Sequence, residues 1–237
     1  AGFKRVEIVD LSADIVRLAD EHFGDINDRV TAKAGVSTYI TDGRNFLLLQ
    51  ERKYDVVSME VSSIWFAGAA SLYNREFYQL VKRRLQPRGV LQQWMQLHHL
   101  EPTDILYILG SVRAEFDYVW LYLIGGQGMI VASNDPGAQP TEANAARLDA
   151  TPGLKALLAL QEGVSAKALL ETRLLDPAAT EAFLSAFGVS SSYWVSTDDN
   201  LRLEYSTPKG NVLDGQVSFR HNLDLIRRHA AAAQRAE

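Results

Sequence analysis

The chain has 237 residues, 47% of them hydrophobic and 22% charged, which suits one α/β domain or a domain with a smaller appendage. A net charge of −5 gives no basic footprint for nucleic acid, and the absence of cysteine excludes disulfides and thiolate metal sites. No run approaches the roughly 18–20 apolar residues of a membrane span.

In chain order, the first strand is expected over 6–11 (VEIVDL), entered almost at once and with no leader-like segment before it. A parallel strand is buried on both faces, so this abrupt entry leads us to expect an earlier strand upstream of residue 1. Ser12 is placed to cap a helix through Phe23, and Val36–Thr41 reads as a strand ending at "TDGR". A helix is expected over 45–51, a buried strand over 54–59, and an amphipathic helix over 72–85 that "QPRG" closes. The pattern continues with a strand at 89–95, a helix at 103–116, and strands at 118–124 and 129–133 joined by "GGQG" in a hairpin. Alternation of this kind predicts a mostly parallel sheet with helices on both faces and an antiparallel last strand. Pro136, Gly137 and Pro140 then mark a linker, so we expect an α/β domain over 1–135 and a helical elaboration over 136–237. Within the latter, 142–187 reads as helical, 193–206 as a returning strand, and 223–233 as a closing helix.

Three carboxylates, Asp10, Asp42 and Glu60, fall at or just past the C-terminal ends of successive predicted strands. Ligands of open α/β sheets bind outside those ends, so the three are expected to converge on one cleft. An acid there can accept both hydroxyls of a ribose, and an Asp-Gly pair such as Asp42-Gly43 can meet an exocyclic amine while admitting a flat ring. Each also has a plain structural reading: helix entry for Asp10, an Asp-Gly turn for Asp42, a solvated strand end for Glu60. His98 and His99, in "QLHHL", would point to opposite faces of a strand, and no acid completes a metal site around them. A surface or supporting role is expected for that pair, and a turn for Asp198 and Asp199.

"VEIVDLSADIVRLADEHF", "TDGRNFLL", "YDVVSMEVSS", "SLYNREFYQLVKRRLQPRGVLQQW" and "STDDNLRLEYSTPKG" together resemble the polyamine aminopropyltransferases, the spermidine and spermine synthases. The likeness is nearer the branch often fused to membrane segments. It implies a Rossmann-like sandwich of the S-adenosylmethionine-dependent methyltransferase type. It also implies transfer of an aminopropyl group from decarboxylated S-adenosylmethionine to a small-molecule amine or polyamine, without a metal. By resemblance Asp10, with the adjacent Leu11, binds the ribose, Asp42 and Gly43 meet the adenine, and Glu60 helps deprotonate the attacking amine. Ser63, Trp65 and Tyr73 would line the amine side, the two aromatics offering cation–π faces. Trp94 could offer a third such face, though core packing is favoured for it. A cytoplasmic location, or a cytoplasmic domain of a larger membrane-associated protein, and a homo-oligomer are implied as well.

The sequence departs from the family pattern in places that bear on activity. Ser63 and Ile64 stand where the family has the second Asp and the Pro of a D-S-S/T-D-P loop, and Glu60 replaces its first Asp. The family's glycine-rich loop ahead of Asp10 and its N-terminal β-domain have no counterpart in these residues. Two other readings therefore stay open: a methyltransferase on the same sheet, and a non-catalytic nucleoside-binding or interaction module.

Overall fold

The computed structural model describes residues 3–61, 63–159 and 165–233. The chain divides into two compact units, Ala1–Arg52 and Lys53–Glu237.

In the first unit β1 (Val6–Asp10), α1 (Ala13–Phe23), β2 (Val36–Ile40) and α2 (Gly43–Leu49) alternate as predicted. The strands pair in parallel from Val6 opposite Val36 to Asp10 opposite Ile40. Ser12 caps α1, its hydroxyl accepting the Ile15 N–H at 3.2 Å. Asp42 caps α2 by accepting the Asn45 N–H at 2.7 Å, so the helix starts at Gly43, two residues before the expected start. Phe46 and Leu47 turn inward from α2, and the Phe46 ring meets Tyr39 of β2 at 4.8 Å.

The second unit holds β3 (Tyr54–Met59), α3 (Arg75–Arg84), β4 (Leu85–Met95), α4 (Pro102–Arg113), β5 (Tyr118–Ile124) and β6 (Gln127–Ser133). It continues with α5 (Glu142–Asp149), α6 (Pro152–Ala159), α7 (Ala166–Glu171), β7 (Arg173–Leu175), α8 (Pro177–Ser185), α9 (Arg202–Ser206) and α10 (Gly215–Ala233). Its sheet runs β3-β4-β6-β5-β7. β3 and β4 are parallel, and β6 is antiparallel to both β4 and β5, so β3, β4 and β5 share one direction. The β5–β6 hairpin turns at Gly125 and Gly126, whose φ of +57° and +78° suit a tight turn that side chains would strain. α4 is buried from Asp104 to Val112 and forms the spine of the core.

Four expectations need correction. The boundary foreseen at 135/136 lies inside the second unit, because β7 pairs with β5 and stitches the later helices into the same sheet. β7 also interrupts the region read as wholly helical, of which 160–164 lie outside the described residues. β3 is not buried on both faces: it stands at the edge of its five-stranded sheet, with Val57 buried and Val56 42% exposed. Residues 193–206 form no strand; they run as a 3₁₀ turn at Ser191–Tyr193, an irregular stretch, and α9. Among the described residues no helix is long and apolar enough to cross a membrane.

Candidate active site

Asp10 and Asp42 stand at the C-terminal edge of the β1–β2 sheet, one at the end of each strand's path. Asp10 is half-buried and its Oδ1 accepts the Ser12 N–H at 2.7 Å, a turn that swings the chain from β1 into α1. Its carbonyl accepts the Thr41 N–H at 2.9 Å, which ties the exit of β2 to that of β1. The structural readings of both acids are therefore correct as far as they go: each shapes a turn. That role does not exhaust a carboxylate, which has two oxygens and about four lone-pair sites. Leu11 is 73% exposed beside Asp10, an apolar surface at the same edge. A Cβ built on Gly43 would touch no other atom within 4 Å, so the backbone there faces open space.

Glu60 belongs to the second unit and follows β3 directly, at the C-terminal end of that strand. Gln92 of β4 lies opposite Ser58 and reaches past it. Its Nε2 donates to Glu60 Oε1 at 2.9 Å, while its Oε1 accepts the Ser58 hydroxyl. Among the described residues the neutral Gln92 amide is the donor to the exposed Glu60 carboxylate, whose other lone pairs can accept further hydrogen bonds. Tyr73 lies near enough that the Glu60 charge acts on it: burial first, with that charge adding, pushes the Tyr73 hydroxyl well above its ordinary value, and a Gln93 hydrogen bond opposes the rise. Tyr73 is 1% exposed and its hydroxyl donates to the Trp94 carbonyl at 3.1 Å. A ring this buried does not offer the open face expected of it. Trp94 is half-buried within β4, opposite Met129 of β6.

The loop after Glu60 is shaped by the segment 194–207. Ser63, half-buried, opens a turn in which its carbonyl accepts the Phe66 N–H at 3.4 Å. Ile64 is buried, and its carbonyl accepts from Thr207 Oγ1 at 3.4 Å. Gly68, with φ +84°, donates its N–H to the Glu204 carboxylate at 3.0 and 3.3 Å. Next along the chain, Asn74 donates to Asp198 at 3.0 Å and accepts from the Ser196 hydroxyl at 2.7 Å, and the Arg75 N–H donates to the Ser196 carbonyl at 2.9 Å. The Asp198 N–H in turn donates to Glu76 at 2.9 Å. "STDDNLRLEY" is thus a polar clamp on the loop, with the Asp198 and Glu204 carboxylates accepting from protein donors.

Comparison with known proteins bears on these features. The spermine/spermidine synthase domain family matches residues 2–125, more than half of the chain. The chain belongs to that family. Polyamine aminopropyltransferase 2 of Pseudomonas aeruginosa is 28% identical over 142 residues, 56% of this chain and 41% of that protein. Polyamine aminopropyltransferase of Nitrosomonas europaea is 27% identical over 189 residues, 75% of this chain and 58% of that protein. The chain thus spans about half the length of these relatives. The crystal structure of spermidine synthase from Thermotoga maritima aligns at a TM-score of 0.54 and 15% identity, covering 71% of this chain and 56% of that one, which supports the Rossmann-like α/β fold.

Sequence reasoning about this member of the family missed several residues. Gln92, which orients Glu60, is flagged only by the pair Gln92-Gln93 inside an otherwise apolar strand. Gln93 is fully buried, accepts from the Tyr78 hydroxyl at 2.8 Å and donates to the Leu72 carbonyl at 3.2 Å. His98 and His99 were expected on opposite faces, but β4 ends at Met95, so strand alternation does not govern them. His99 has φ +54°, which brings both imidazoles to Trp65, with ring centroids 6.3 and 5.7 Å away. Among the described residues no group of three His, Asp or Glu is placed to hold a metal ion.

Proposed function

We propose that this chain is the catalytic part of an aminopropyltransferase, carrying an aminopropyl group from decarboxylated S-adenosylmethionine to a primary amine. The observation that carries the reading is Glu60, held by Gln92 at the end of a parallel strand in a chain of the spermine/spermidine synthase domain family. Asp10, with Leu11 beside it, binds the ribose; Asp42 and Gly43 receive the adenine. Glu60 accepts a proton from the acceptor ammonium, freeing the nitrogen lone pair. That nitrogen attacks the aminopropyl carbon bonded to the sulfonium, the carbon–sulfur bond breaks, and its electron pair stays on sulfur. The leaving group is neutral methylthioadenosine, so no acid is needed for departure, and the proton ends on Glu60 or in water. Ser63 and Trp65 border the path of the amine, and Tyr73 fixes the floor. A cytoplasmic setting goes with this reading, either in a homo-oligomer or within a larger membrane-associated protein.

The test is methylthioadenosine release on mixing the chain with decarboxylated S-adenosylmethionine and a panel of primary amines. Release in the native chain and at least about a hundredfold loss in Glu60→Gln, within the range a positioned proton acceptor contributes, is the expected result. Undiminished release in Glu60→Gln would make the carboxylate a solvated strand end.

A further inference from the structure

The loop that begins at Glu60 carries Trp65 into a ring cluster with His98 and His99, two residues that the proposed transfer leaves without a role. Trp65 meets His98 and His99 edge-on, at interplanar angles of 75° and 83°, and the two imidazoles lie 5.2 Å apart. Phe66, 61% exposed, adds a fourth ring 6.5 Å from Trp65.

This cluster is held against local strain. A left-handed backbone at His99 is uncommon for a residue with a side chain, and persists where the surroundings over-determine it. Here the His99 N–H donates to Ser218 Oγ at 2.9 Å. Gly210 passes so close that a Cβ there would stand 1.8 Å from the His99 carbonyl oxygen. Gly215 faces the imidazole itself, where a Cβ would stand 2.8 Å from Nε2. The other ring nitrogen, His99 Nδ1, is buried and has no hydrogen-bond partner among the described residues. Strain maintained from three points, with an unsatisfied buried nitrogen beside an aromatic wall, is the kind of arrangement that functional surfaces keep.

We propose that Trp65, His98 and His99 form the wall that receives the tail of the acceptor amine, and that this wall selects a primary amine with an uncharged alkyl or aromatic tail over a diamine or polyamine. The proposal rests on the aminopropyl-transfer reading and names the acceptor class for it. Among the described residues, the contacts that define this wall are between rings. Position 63 is Ser, and the Glu204 carboxylate, which also touches this loop, is turned onto the Gly68 N–H. Burial, with the neighbouring His99 adding, pushes His98 below its ordinary value. A second ammonium would leave water for a surface of rings, and a cation–π contact offsets only part of that loss. An apolar tail loses nothing on the same surface and gains from burial.

The test measures binding and turnover separately. Isothermal titration of the chain in the presence of methylthioadenosine compares 2-phenylethylamine and hexylamine with 1,4-diaminobutane. The wall predicts a preference of at least about tenfold for the two monoamines, in line with what an apolar pocket achieves. Trp65→Ala should remove most of that preference. Gly215→Ala, which keeps every ring but crowds the His99 imidazole, should weaken monoamine binding and leave the far-ultraviolet spectrum unchanged. Equal or tighter binding of 1,4-diaminobutane, a preference that survives both substitutions, or no binding of any amine would overturn the proposal. If the preference and its loss are seen but no amine gives methylthioadenosine release, the wall stands and the aminopropyl-transfer reading falls.

Discussion

Glu60, Asp10 and Asp42 illustrate what one residue reveals about itself in a sequence. Their positions at strand ends were readable, because a run of β-prone residues followed by an acid is a local pattern. Their second partners were not, since Gln92 reaches Glu60 from 32 positions away. Asp10 offers a clean test, as its Oδ1 also serves the Ser12 turn. Asp10→Asn keeps that acceptor but removes the charge. It should weaken methylthioadenosine about tenfold in calorimetry, the worth of a charge-assisted hydrogen bond, and leave the melting temperature nearly unchanged. Gly43 allows a converse test. Its Cβ position is empty and lies at the start of α2, so Gly43→Ala should raise stability by up to about 1 kcal/mol while crowding the adenine. Tighter or equal nucleoside binding in that variant would remove Gly43 from the site.

At the scale of elements, the strands and helices with strong periodicity were legible, including β1, β2, α1 and the β5–β6 hairpin. Residues 193–206 were not. "WVSTDDNLRLEY" alternates like a strand, yet Ser196, Asp198 and Glu204 satisfy backbone and side-chain groups of the 60–76 segment, and Leu201 adopts φ +48° to start α9. Long-range hydrogen bonds overrode local propensity there. α4 holds a further element-scale consequence in Asp104, which is fully buried near its N-terminus and accepts the Glu101 N–H at 3.0 Å. Burial, opposed by hydrogen bonding, raises its carboxyl above the ordinary 3.8. The folded chain therefore holds this proton more tightly than the unfolded one. Its contribution is favourable near and below pH 3.8 and is lost as pH rises through the raised value. Asp104→Asn cannot titrate, so its stability relative to the native chain should increase between pH 4 and pH 8 in paired urea melts. A constant difference across that range would show that Asp104 ionises in the folded chain as it does in the unfolded one.

For the whole molecule, the α/β class and the family were legible because several motifs occur in order over the first 135 residues. The division of the chain was not, because the linker composition at 136–140 says nothing about β7, whose three residues pair with β5 and bind the later helices to its sheet. Nor does the sequence reveal that the later segment clamps the loop after Glu60, which takes residues 130 and more positions apart. The central claim is that this folded chain moves an aminopropyl group and that Glu60 takes the amine's proton. The most direct measurement follows methylthioadenosine release from decarboxylated S-adenosylmethionine with a primary amine, in the native chain and Glu60→Gln, alongside nucleoside affinity for both. The account predicts amine-dependent release in the native chain, at least about a hundredfold less in Glu60→Gln, and equal nucleoside affinity. Equal release from the two chains, or none from the native chain with any amine, would contradict it.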